Sequence, residues 1–158
     1  MRLIAAVDQN WALGYRGDQL AYLKEDLRRF KALTLGHPVI LGRKTLATFP
    51  GGRPLKGREN LILSATPGFS AEGAKVFRDL NTLLEYAPAD SFVIGGASVY
   101  AALLPFCDTA YITKIHAAFP ADVWLADLDA LTGWSLTEES GPLEQDGLSY
   151  HYVRYSRN

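Results

Sequence analysis

Cysteine is nearly missing: one residue, Cys107, stands in 158. It has no partner for an internal disulfide, which excludes a secreted module built on disulfide bridges. A surplus of one charge is missing too, since 16 basic and 17 acidic residues leave a net charge of −1. A general nucleic-acid binder carries a basic excess, so that class is set aside. No run approaches the roughly 18 apolar residues of a membrane span. Leu3-Ile4-Ala5-Ala6-Val7 is too short for the core of a signal peptide, and Asp8 ends it. A soluble cytoplasmic protein with no membrane partner is expected. The histidines His37, His116 and His151 lack ligand spacing, so no metal site is expected. No Gly-X-Ser-X-Gly elbow supports hydrolase chemistry by that route.

What is present points to a folded domain. The chain is 48% hydrophobic and 21% charged, which is a globular composition. At this length it should bury roughly 70% of its unfolded surface. One domain spanning residues 1–158 is expected.

Short apolar runs alternate with helical segments. Leu3 to Val7 reads as a buried strand, followed by a long loop from Gln9 to Tyr22. Glu25 to Leu35 reads as a helix, with Leu23, Leu27, Phe30 and Leu33 or Thr34 forming its stripe and Gly36 ending it. Strands are predicted at Val39–Leu41, Leu61–Leu63, Lys75–Phe77, Phe92–Ile94 and Ala110–Ile115. Short helices follow Gly42, begin at a cap on Asp79 or Asn81, and run from Val99 to Leu104. Trp134–Glu138 and Ser149–Tyr155 alternate, as antiparallel strands do. The pattern predicts an α/β fold. Its central mixed sheet has about eight mostly parallel strands, an antiparallel C-terminal edge and about four flanking helices.

Ligands in such sheets bind beyond the carboxyl ends of strands. Candidate ends are the loop after Val7, Gly42-Arg43-Lys44-Thr45, Leu63-Ser64 and Gly95-Gly96-Ala97-Ser98. Cations are poor choices for a helix N-terminus on dipole grounds, so Arg43 and Lys44 hint at a bound anion. A solvated basic turn is the plainer explanation. Gly95-Gly96 lets backbone amides approach an anion closely, or serves only a tight turn. Two such cradles on adjacent strand ends suit a dinucleotide. The Rossmann glycine fingerprint is absent after the first strand, so binding would follow another route. Asp26 borders the apolar stripe of its helix. As a first-turn acid it favours the helix dipole by under about 1 kcal/mol. At a cleft edge it could instead accept two parallel hydrogen bonds from an amidine-like group.

Several segments in order resemble the bacterial type of dihydrofolate reductase, along nearly the whole chain. They are Ile4-Ala5-Ala6-Val7-Asp8, Leu13-Gly14, Glu25 to Lys31, Pro38 to Thr45, Gly52 to Asn60, Val93 to Tyr100 and Tyr111-Ile112-Thr113. The resemblance implies reduction of 7,8-dihydrofolate to tetrahydrofolate with NADPH, in one-carbon metabolism, by a monomer that antifolates target. It implies that Asp26 is the buried acid gripping the pterin and that Thr113 hydrogen-bonds it. Ile4, Ala5, Ala6, Leu27, Phe30, Phe49, Leu55, Ile94 and Tyr100 would line the substrate pocket. Arg58 would pair with the glutamate tail's carboxylate. Ala6, Leu13, Gly14, Gly42, Arg43, Lys44, Thr45, Leu63 and Ser64 would hold the dinucleotide, with Gly95, Gly96, Ala97, Ser98, Val99 and Tyr100. Gln9 to Tyr22 would be the loop that closes over the nicotinamide, with Asp122 on its stabilising partner loop. The chain departs from the usual pattern at Ala21, where tryptophan is common, and at Lys24, where proline is. Ala65 and Ser98 stand where residues often bind the 2′-phosphate. Two other readings are a related reductase acting on a pyrimidine intermediate of riboflavin synthesis and a non-catalytic folate- or nucleotide-binding module.

Overall fold

The short apolar runs become interior strands: a strand covered on both faces carries continuous Val, Ile and Leu, and these runs are too short for a buried helix. The computed structural model describes residues 1–158. In chain order, β1 (Arg2–Val7), β2 (Ala12–Tyr15) and β3 (Asp18–Gln19) precede α1 (Lys24–Thr34). Next come β4 (Val39–Gly42), α2 (Arg43–Ala47), β5 (Asn60–Leu63), β6 (Ala74–Phe77) and α3 (Leu80–Tyr86). Then follow β7 (Phe92–Gly95), α4 (Ala97–Leu103), β8 (Thr109–Ile115) and β9 (Val123–Trp124). The chain ends with β10 (Trp134–Glu139), β11 (Leu143–Gln145) and β12 (Leu148–Arg157).

The main sheet has the order β10-β12-β8-β1-β7-β4-β5-β6, with β11 paired to β12. From β8 to β6 every neighbour pair is parallel, while β12 pairs antiparallel with β8, β10 and β11. This is the mixed sheet expected from the alternation of strands and helices.

Period-two alternation sorts the core into two faces. Leu3, Ala5 and Val7 of β1 join Leu83 of α3 and Val99 and Leu103 of α4. Ile4 points the other way and packs with Leu41, Ile62, Phe92 and Leu46, against Phe30 and Leu33 of α1. Each fully buried aliphatic side chain here contributes about 1.5–3 kcal/mol. Asp79 rather than Asn81 caps α3, its carboxylate accepting from Thr82 N at 2.9 Å.

Three expectations need correction. The loop from Gln9 to Tyr22 holds β2 and β3, which with β9 form a separate three-stranded sheet. These strands, of four and two residues, are too short to show a local period. They are made by pairing with a segment far along the chain, Ala12 facing Trp124 and Gly14 facing Val123. Leu23 lies outside α1, in extended conformation before its first turn. Leu27, a member of the stripe expected to face the core or a cleft, does not join the core: it is 45% exposed.

Candidate active site

α1 crosses the sheet near the carboxyl ends of β1 and β8. In register, Ala6 of β1, Thr113 of β8 and Tyr152 of β12 form one row across three strands. Ile112 points to the opposite core, so Thr113 faces α1 and its hydroxyl donates to Asp26 Oδ1 at 2.5 Å. Thr113 is buried and Asp26 half-buried. Burial pushes the Asp26 carboxyl above its ordinary pKa, while the Thr113 hydrogen bond and the Arg29 charge pull it back. Each carboxylate oxygen has two acceptor sites, so beside the Thr113 bond Oδ1 keeps one and Oδ2 keeps both for a ligand.

Half-buried apolar side chains cover the same face of β1 that carries Ile4 and Ala6. Phe30, Phe49, Leu55 and Ile94 pack on the cluster that contains Ile4, each keeping an open side. Ala6 lies at the acid's own row. The Tyr100 hydroxyl is buried and donates to Ile4 O at 2.6 Å, and burial raises its pKa. Its oxygen is committed to the backbone, so Tyr100 shapes the cleft by packing.

Arg58 sits at the far end. Its Nη1 donates to Thr34 Oγ1 at 3.1 Å and its Nε to Lys56 O at 2.9 Å. Buried Asn60 builds the loop that presents it, pairing with Leu55 N and O and with Arg58 O, each at 2.9 Å. These contacts aim the guanidinium and leave Nη2 for an anion.

At the other end, β7, β4 and β5 finish side by side in Gly95, Gly42 and Leu63. α2 and α4 open on Gly42 and Gly96 without side-chain caps, so their first amides lack side-chain acceptors. Thr45 faces the paired glycines, and a Cβ built on Gly96 would lie 3.2 Å from Thr45 Oγ1. Arg43, Lys44 and Ser98 are exposed beside them, while Val99 is buried in the core. Val99 therefore offers backbone rather than side chain. Ser64 Oγ accepts from Thr66 N at 3.3 Å, which occupies it locally.

Asp8 ties β1 to the small sheet. It is 2% exposed; its Oδ1 accepts from Asn10 N at 2.8 Å and Ala12 N at 3.0 Å, and its Oδ2 from Phe119 N at 3.0 Å. Asp122 closes the same sheet, accepting from Arg16 N at 3.0 Å and donating through its own N to Gly14 O at 3.1 Å. Glycine is needed at position 14 because a Cβ there would lie 2.6 Å from Asp18 O.

The chain matches the dihydrofolate reductase family model over residues 1–157. It belongs to the dihydrofolate reductase family. It is 35% identical over 158 residues to a dihydrofolate reductase of Bacillus subtilis, covering 98% of this chain and 92% of that one. It is 38% identical over 159 residues to a dihydrofolate reductase type 3 of Salmonella typhimurium, covering 98% and 96%. A solved dihydrofolate reductase from Enterococcus faecalis, complexed with NADP(H) and RAB-propyl, matches with a TM-score of 0.88 at 31% identity. That match covers 99% of this chain and 95% of the other.

NADPH is the cofactor of this dihydrofolate reductase fold, and the strand ends suit it. The donor set at Gly42–Thr45 is cationic and hydroxylic, and the Gly95-Gly96 turn has no side chain to fill the space before Thr45. Ala21, where the family usually has tryptophan, packs against Leu23, Ile115 and Tyr150. Asp8, Asn60 and Thr34 do positioning work that reading the residues did not anticipate. An acid after a strand or an amide in a loop signals nothing until its backbone partners are known. His116 Nε2 and His151 Nδ1 lie 2.6 Å apart, which their distance in sequence concealed, yet no group of three ligands for a metal forms. No helix is long and apolar enough to cross a membrane.

Proposed function

We propose that Asp26 is the acid through which this chain performs its reaction, the NADPH-dependent reduction of 7,8-dihydrofolate to 5,6,7,8-tetrahydrofolate. The observation that carries the assignment is the half-buried Asp26 carboxylate, held by Thr113 at the edge of an apolar cleft. Two parallel hydrogen bonds from the pterin N3–H and 2-amino group match a carboxylate, as guanidinium does. The carboxylate charge in a desolvated site stabilises positive charge developing on the ring, which favours a proton at N5. Ile4, Ala5, Ala6, Leu27, Phe30, Phe49, Leu55 and Ile94 would enclose the pterin and aminobenzoyl rings and exclude water, with Tyr100 behind them. Arg58 would take the tail carboxylate with its free Nη2.

When bound, NADPH supplies the hydride that completes reduction at C6. Gly42, Arg43, Lys44, Thr45, Leu63 and Ser64 would hold its phosphates and adenosine together with Gly95, Gly96, Ala97, Ser98 and Val99. Ala6, Leu13 and Gly14 would border its nicotinamide end, next to Tyr100. The first-turn amides of α2 and α4 provide donors for anionic oxygens.

Residues 1–158 would act as one functional domain, working as a cytoplasmic monomer. Light scattering of the purified protein checks the oligomeric state. The reaction is tested by following NADPH oxidation on addition of dihydrofolate, with wild type and Asp26→Asn in parallel. Turnover that depends on dihydrofolate and on Asp26 is expected. Binding of both ligands without oxidation would instead favour a non-catalytic module.

A further inference from the structure

Arg29 stands one turn beyond Asp26 on α1, on the same side of the helix. It is half-buried, and its guanidinium lies 4.0 Å from the ring centroid of Tyr152 and 5.9 Å from that of Tyr111. The carboxylates that line the grooves beside it are each paired with another basic side chain. Glu25 pairs with Arg28, Glu138 with Arg154 at 2.7 Å, and Glu139 with His151 at 2.8 Å. Arg29 joins none of these pairs. Asp26 is likewise unpaired, its only side-chain partner being the Thr113 hydroxyl. Two opposite charges, three residues apart, are thus held from direct contact while each lacks any other ionic partner.

We propose that Arg29 is a positioning residue: its guanidinium, held on the face of Tyr152, acts on the Asp26 carboxylate through space and leaves it free for substrate. This inference rests on Asp26 being the acid that grips the pterin. A direct Arg29–Asp26 bridge would consume the oxygen the substrate needs. Stacking on Tyr152 keeps the guanidinium off that oxygen and favours the cation in place. The field still reaches Asp26, where Arg29 opposes the effect of burial. The groups around Asp26 contribute no other full charge. Thr113 on β8 and Tyr100 on α4 are neutral donors, and Ala6 on β1 is apolar. Burial and the Asp26 charge push the Tyr152 phenol up to about 12, so it too is neutral.

Removing the Arg29 charge should raise the titration midpoint of Asp26. An opposite charge in direct contact lowers a carboxyl pKa by about 1–3 units. A separated, half-exposed one should give roughly half a unit to one unit. The experiment titrates side-chain carboxyl signals of the unliganded protein by NMR, with labelled aspartate, in wild type, Arg29→Gln and Arg29→Lys. The Asp26 midpoint should rise in Arg29→Gln and stay near wild type in Arg29→Lys. Should the glutamine variant not fold, Arg29→Met removes the same charge while keeping an apolar stem on Tyr152. In turnover, the kcat/KM limb that reports Asp26 in the free enzyme and the kcat limb that reports protonation of the bound ring should both move to higher pH in the charge-removing variant, because both groups feel the same field. A structural loss would instead lower the profile without moving it. An unchanged or lowered Asp26 midpoint overturns the role of Arg29. Failure of the wild type to turn over dihydrofolate would overturn the underlying reading instead, so the two failures are separable.

Discussion

Thr113 Oγ1 donates to Asp26 Oδ1 at 2.5 Å across 87 positions of sequence. The bond joins the first turn of α1 to the middle of β8. It exists because Thr113 alternates with Ile112, which fills the opposite core. It fixes one oxygen of the acid and opposes the rise in pKa that burial imposes.

Asp26→Asn should fold and lose most reduction at pH 7, with a smaller loss in acid, where more substrate is already protonated. The amide keeps an acceptor for Thr113 but carries no charge and offers the pterin one acceptor. The variant should also be more stable than wild type at neutral pH. Burial raises the folded-state pKa of Asp26 above its ordinary 3.8, so wild-type stability falls as pH rises through the unfolded and then the folded pKa. The gain should vanish below the unfolded pKa. Thermal melts of both proteins across that range, together with the assay, check it.

Thr113→Val removes the donor and nearly preserves shape. Hydrogen bonds to charged groups are worth roughly 1.5–3 kcal/mol. The loss should appear as a further rise in the Asp26 midpoint and a drop in kcat/KM of about tenfold or more. A pH profile superimposable on wild type would remove Thr113 from the catalytic assignment.

Arg58→Lys should raise KM for dihydrofolate far more than it lowers kcat. The tail lies away from the reacting carbons, so its grip is close to uniform binding. Lysine also cannot bond Thr34 and Lys56 O while presenting a forked donor. An analogue without the glutamate tail should bind both proteins alike, and equal penalties on the two ligands would exclude a carboxylate contact.

Asp8→Ala strips three backbone amides of their acceptor, at Asn10, Ala12 and Phe119. Only the Ala12 amide is fully buried, and a buried unmet donor costs about 1–3 kcal/mol; Asn10 is exposed and Phe119 half-buried, so their amides can turn to water. At roughly 2–4 °C per kcal/mol for a chain of this size, Tm should fall by about 2–12 °C. Hydrogen exchange should speed up first in β2 and β9, since Asp8 anchors their sheet.

Arg43→Ala should weaken NADPH binding and leave NADH binding nearly unchanged. The charged contact to the 2′-phosphate is worth roughly 1.5–3 kcal/mol, about tenfold or somewhat more. Little stands in reserve. Ala65 has no polar group, Ser64 Oγ is bonded to Thr66 N, and Arg78 spends its donors on the carbonyls of Ser64, Thr66 and Phe69. Titration of both cofactors at fixed salt decides it. Equal weakening of the two would mean that Arg43 reads the diphosphate.

Short apolar runs and the glycines that follow them were enough to lay out the main sheet and the strand ends open to a ligand. Runs of Val, Ile and Leu too short for a helix and bounded by Gly or Pro read as buried strands, and the residues after them, Gly42 to Thr45 and Gly95 to Ser98, are local in the chain. Tertiary structure alone decided what depends on distant partners. Asp26 reads as an ordinary first-turn acid until Thr113 is folded against it. Leu27 belongs to the apolar stripe by spacing, yet it is 45% exposed while Phe30 and Leu33 of the same stripe pack on the sheet. β2 and β3 carry no period of their own and exist through Trp124, Val123 and Asp122. Arg29 looks like any solvated helix cation until Tyr152 comes beneath it and its neighbouring acids prove to be taken. Periodicity reports the environment of a segment along its own axis. A hydrogen bond or a field between residues far apart in the chain is set only when the sheet order brings their strands and helices together.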